Sequence, residues 1–249
     1  MNTKPFLIEE NSLSNAWIRV FEHVIQEPSR EITPLVLSLT GFDESKEVRE
    51  TLDAELQRNA ETSINTVSET IFPESLYKLC KRDRHALYTE YRNNLPRIHK
   101  IDSRNRRGTY FERLIAFDEK INQLEIIISS LRKDQSVRRS KLQASIFDPR
   151  KDHIKGPYQG FPCLQHITFL VSADGGLILN SFYAIQLLYR KAYGNWLGLI
   201  NLGKFVANET GLKLERFNCH IGIEQLEITK TQARGLLTNI NIPVCLQQR

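Results

Sequence analysis

No stretch of the 249-residue sequence comes near the about 18 consecutive apolar residues of a membrane-crossing helix, so a membrane span is not expected. The first ten residues mix Lys4 with Glu9 and Glu10 and lack the apolar core of a secretory leader, which makes the cytoplasm the expected location. Cysteine is scarce. The four, Cys80, Cys163, Cys219 and Cys245, are scattered without a CxxC pair and outline no disulfide framework. Cys219 and His220 are adjacent, but no second ligand pair lies at metal spacing, so no zinc or other metal site is expected. Internal repeats and low-complexity tracts are missing too, and a single domain over residues 1–249 is the economical expectation.

What is present suits a globular chain. Hydrophobic content of 41% is enough for one large α/β domain with a substantial core. The net charge of +5 favours an anionic ligand. Much of that excess is local: Lys78, Lys81, Arg82, Arg84, Arg92, Arg97, Lys100, Arg104, Arg106 and Arg107 follow one another with Tyr88 and Tyr91 interleaved. The run is either a solvated helix face leading into a basic loop or a surface for nucleic acid.

Apolar spacing predicts a helix over 14–27 on Trp17, Val20, Phe21, Val24 and Ile25, then a strand from Ile32 to Leu39. Val48, Leu52 and Leu56 mark a second helix; Leu76, Leu79, Leu87, Tyr88 and Tyr91 mark a third, broken one before Pro96. A loop from Ile101 to Gly108 and a helix over 121–131 follow. Leu142, Ala144 and Ile146 alternate as a half-buried strand does, and residues 148–162 read as a loop. The apolar run from His166 to Val171, the turn Asp174-Gly175-Gly176 and the segment from Leu177 to Phe182 form a predicted hairpin. A helix from Asn195 stopped by Gly211, a strand over 213–228, a helix from Thr229 to Leu237 and a terminal extended piece complete the reading.

Order and spacing in the second half resemble the thymidylate synthase family over about residues 117–230. The helix ending in Lys133-Asp134-Gln135-Ser136-Val137-Arg138-Arg139 is similar to that family's serine-arginine-arginine element. Phe147-Asp148-Pro149 follows where the family writes tryptophan-asparagine-proline, and Phe161-Pro162-Cys163-Leu164 matches its nucleophile motif. Asp174-Gly175-Gly176-Leu177, Asn195 and Gly211-Leu212 continue the match. The resemblance implies an α+β fold, a twisted and largely antiparallel sheet flanked by helices, and a homodimer acting on a pyrimidine nucleotide or nucleoside.

By that resemblance Cys163 is the nucleophile, adding as a thiolate to C6 of the ring. The alternative is a small buried hydrophobe. Arg138 and Arg139 take the place of cations that reach the partner subunit's phosphate site, or else they are helix C-terminal cations. Asn195 either pairs with the ring edge of a uracil-type base or caps its helix. The sugar-contacting position falls on Gln225, with Glu227 beyond it, in the gapless register and on His220 in a shorter one.

Departures from the family pattern are equally specific. Ala184, Ile185 and Leu187 replace an arginine, a serine and an aspartate, Leu164 replaces a histidine, and the N-terminal half offers no recognisable glutamate base. Methylene-tetrahydrofolate, the cofactor the resemblance implies, loses its anchor at Leu187. Three readings follow: a one-carbon transferase on a pyrimidine, a catalytically silent nucleotide-sensing or assembly subunit, and a nucleic-acid-binding protein.

Overall fold

The computed structural model describes residues 4–101, 105, 107–134, 136–156, 160 and 162–240. Cys245, Phe161, Arg104, Arg106, Gln135 and the terminal extended piece lie outside them. Seven strands among the described residues form one sheet: β1 (Phe6–Ser12), β2 (Glu31–Ile32), β3 (Leu35–Asp43), β4 (Gln143–Ser145), β5 (Leu164–Val171), β6 (Leu177–Leu187) and β7 (Leu214–Gln225). Their order is β1-β3-β7-β6-β5-β4, with β2 paired to β7. Four pairings are antiparallel and two, β1 with β3 and β6 with β7, are parallel. The mixed α/β architecture with a largely antiparallel sheet agrees with the sequence expectation.

The helices are α1 (Leu13–Gln26), α2 (Lys46–Arg58), α3 (Ile64–Ile71), α4 (Glu74–Leu79), α5 (Arg84–Ile101), α6 (Tyr110–Ile115), α7 (Gln123–Lys133), α8 (Pro149–Asp152), α9 (Tyr193–Thr210) and α10 (Lys230–Asn239). Their boundaries follow local chemistry. Ser12, Ser45, Ser63 and Asn122 accept amide protons at the starts of α1, α2, α3 and α7. Thr109 and Glu112 form a capping box on α6. The β5–β6 hairpin turns through Gly175 at φ +82°, a conformation that needs no Cβ.

One sheet face is buried: Leu37, Leu179, Phe217 and Phe169 line it, and α1 and α9 carry the fully buried Trp17 and Trp196 of the same core. On the other face Asn218 donates to Asn180, Asn180 donates to Thr168, and Phe182 stacks on His220 with ring centroids 5.3 Å apart. Buried positions normally alternate, but their phase slips by one residue between Tyr183 and Gln186 and between Ile221 and Glu224. A register shift between Leu164 and His166 places the same break in β5, because Leu164 pairs with Tyr183 and Tyr183 with Ile221. No helix among the described residues is long and apolar enough to cross a membrane.

Candidate active site

The cavity beside the head of β5 holds about 350 Å³, within the range of small-molecule sites. Cys163 lines it together with Tyr110, Thr109, Asn195, Gln186 and Lys191. The strand break described above delivers Cys163 here, and the Ala184 amide of β6 donates to its carbonyl at 3.1 Å. The cysteine is free and exposed, unlike the buried-hydrophobe alternative. Surrounding protein nevertheless desolvates the sulfur and raises the thiol above its ordinary value. No cation among the described residues counteracts that shift.

Tyr110 is the functional candidate that sequence reading missed. Its burial raises the phenol well above the ordinary value, while the backbone amides of Leu164 and Cys163 act in the opposite direction by donating to its oxygen. The signal was present in Thr109-Tyr110-Phe111-Glu112, where Thr109 and Glu112 three residues apart mark a helix start. Thr109 itself is buried and shares a 2.6 Å hydrogen bond with the Tyr91 hydroxyl.

The wall opposite is α3, which contributes Thr66, Val67 and Thr70, with Thr62 just ahead of it. No helix was expected there. It packs against α9 through two glycines: a Cβ on Gly198 would stand 2.7 Å from the Ser68 carbonyl oxygen, and one on Gly194 would stand 2.7 Å from the Val67 Cβ. A buried ion pair fixes the segments near the cavity without lining it. Arg113 donates to both oxygens of Asp152 at 2.8 and 3.2 Å and to the Arg107 carbonyl, joining the segment before α6 to the segment after β4.

The remaining sequence candidates separate. Asn195 is buried in the first turn of α9 and lines the cavity, but it does not cap the helix, which begins after Ala192. Arg138 and Arg139 are exposed beyond the end of α7 and do not line the cavity of their own chain. Gln225 donates to the Glu31 carboxylate at 3.2 Å, and His220 stacks on Phe182; neither lines the cavity. Glu227 accepts the amides of Tyr189 and Arg190, both at 3.0 Å, and so serves the turn before α9. In the basic run, Lys78 pairs with Glu74, Arg84 with Glu125 and Glu209, and Arg92 with the Ile115 carbonyl.

No protein-family model matches this sequence. A Methanocaldococcus jannaschii protein named "Putative thymidylate synthase" is 30% identical over 116 residues, which cover 45% of this chain and 51% of that protein. The chain thus spans about half the length of the curated relative it matches, a distant relationship to a protein bearing the name of the family that the residue pattern resembles.

Proposed function

We propose that the chain is a divergent thymidylate synthase-family protein whose Cys163 cavity binds a pyrimidine nucleotide or nucleoside. In this reading the Cys163 thiolate adds to C6 of the ring. The C5–C6 π electrons pass to the C4 oxygen, and C5 then takes a proton from water. Reversal exchanges the hydrogen at C5. The observation that carries the proposal is the free cysteine at the head of β5, sharing one cavity with Tyr110 and Asn195. Asn195 offers both a donor and an acceptor to the edge of a uracil-type ring.

One-carbon transfer to C5 is the further step that the distant relative's name suggests. The lining does not suit a folate: Leu187 is apolar, and no carboxylate lines the cavity among the described residues. The reading therefore stops at addition. A homodimer belongs to the same proposal, packed through the partly exposed sheet face that carries Phe182 and His220, so that Arg138 and Arg139 reach the partner's cavity.

A second reading is favoured by one specific observation. A thiol raised by desolvation, with no described cation acting on it, is poorly ionised at neutral pH and suits a silent nucleotide-binding subunit. Loss of C5 tritium from labelled dUMP, UMP, deoxyuridine, dCMP and CMP separates the two. Exchange with at least one compound, abolished in Cys163→Ala, is expected, without folate-dependent dTMP formation. Tight binding without exchange selects the silent subunit, and neither binding nor exchange removes both readings. Nucleic-acid binding is the weaker third reading, because several cations of the basic run are engaged within the chain.

A further inference from the structure

Lys191 is the one charged side chain among the described residues lining the Cys163 cavity. The other polar groups there are hydroxyls, amides and the thiol. Its position is set by a single π-helical turn, Leu188–Ala192, inserted between β6 and α9. Such turns displace side chains from the regular helical register and are frequent at functional sites. This one is held from three directions. The Trp17 indole donates to the Leu188 carbonyl at 3.1 Å, Asn59 donates to the Tyr189 hydroxyl at 3.1 Å, and Glu227 accepts the Tyr189 and Arg190 amides. A lysine on a turn fixed in this way meets the cavity from a preorganised base.

Three threonines line the same cavity. Thr62, Thr66 and Thr70 follow at four-residue intervals and so share one side of α3 and its approach. Thr66 and Ser63 exchange a hydroxyl hydrogen bond at 2.9 Å, and Thr70 donates to the Val67 carbonyl at 2.7 Å. At the rim, the Arg107 guanidinium lies against Gly160, where a Cβ would stand 3.0 Å from it. Lysine acts on phosphate as a compact charge.

We infer that Lys191 is the anion anchor of this cavity and selects a ligand carrying a phosphate-like group over its neutral counterpart. Only the identity of the ring rests on the pyrimidine reading; the preference for an anion stands on the lining itself.

The test uses the full chain as wild type, Lys191→Met and Lys191→Arg, with Lys191→Gln replacing the methionine variant if that does not fold. Inorganic phosphate is expected to raise the melting temperature of wild type and Lys191→Arg above that in sodium chloride of equal ionic strength, and not that of Lys191→Met. No phosphate effect on wild type, or an equal one in Lys191→Met, overturns the inference. In calorimetry, wild type is expected to bind dUMP at least about tenfold more tightly than deoxyuridine, and Lys191→Met to reduce that preference by about tenfold. Equal wild-type affinities for the two would also overturn it. Lys191-dependent phosphate stabilisation without binding of either compound would remove the pyrimidine reading and leave the anchor standing.

Discussion

Gln186 of β6 and Glu224 of β7 stand opposite each other in the parallel ladder, both buried, and neither side chain has a hydrogen-bond partner among the described residues. The phase slip in the two strands turns these polar residues inward where alternation would have placed Ile185 and Ile223. Desolvation raises Glu224 well above the ordinary carboxyl value, with Glu227 adding to the effect, so folding favours its neutral form.

The pH consequence follows from linkage. The unfolded glutamate loses its proton near about pH 4.3 while the folded one keeps it, so the native state binds more protons above that pH. Stability is full below about pH 4.3 and falls as pH rises toward the folded value. Glu224→Gln removes this term and is expected to raise the melting temperature at pH 7–8 by several degrees, at about 2–4 °C per kcal/mol for a chain of this size. A variant that melts below wild type across that window would contradict the assignment.

Gly198→Ala tests the α3–α9 contact. The new Cβ meets the Ser68 carbonyl at 2.7 Å and the Ile71 Cβ at 2.9 Å, so one helix has to move. A loss of about 1–3 kcal/mol in denaturant unfolding is expected, with an altered Cys163 alkylation rate because α3 carries the threonine wall. Unchanged stability and alkylation would show that the wall tolerates displacement.

Asp152→Ala leaves the buried Arg113 guanidinium without this carboxylate. Removing one partner of a buried pair costs about 3–5 kcal/mol. Chemical denaturation measures it; a loss under about 1 kcal/mol would place the pair with exposed ion pairs.

Cys163 alkylation by iodoacetamide, followed by peptide mass spectrometry, is expected to rise with pH and to pass half-maximum above about 8.5, the ordinary thiol value. A midpoint at or below pH 7 would reveal a cation near the sulfur that the described residues do not supply.

Arg138 and Arg139 offer the complementary experiment. With both replaced by alanine, the proposed dimer should lose about tenfold or more in affinity for a monophosphate and keep its melting temperature, since both side chains are exposed. A monomer by sedimentation, or unchanged affinity, rules out their reaching a partner's cavity.

Much of the architecture was legible because its elements carry clean periods. The stripe Trp17, Val20, Phe21, Val24 became α1, and the alternation from Leu142 to Ile146 marked β4. The helix reading through Leu76 and Tyr91 correctly broke in two, but α5 continues past Pro96 to Ile101. Short elements escaped: α3 and α6 span eight and six residues, too few for a pattern to stand out. Asn195 and Cys163 were found by motif and share the cavity, whereas Tyr110 and Lys191 were not found. The lysine reaches the cavity through a π-helical turn held by Glu227, a tertiary arrangement that no local spacing announces.

The sheet's two outer strands are protected unequally against joining another copy edge to edge. β4 is only three residues long and offers little backbone for an added strand. β1 is longer; Glu10 is tied to Arg19 and Glu9 to Arg216, which charges its second half. Its first half has no such guard, and Leu7 stands 71% exposed there. Unwanted strand addition, and the aggregation that grows from it, should therefore begin at Phe6–Ile8.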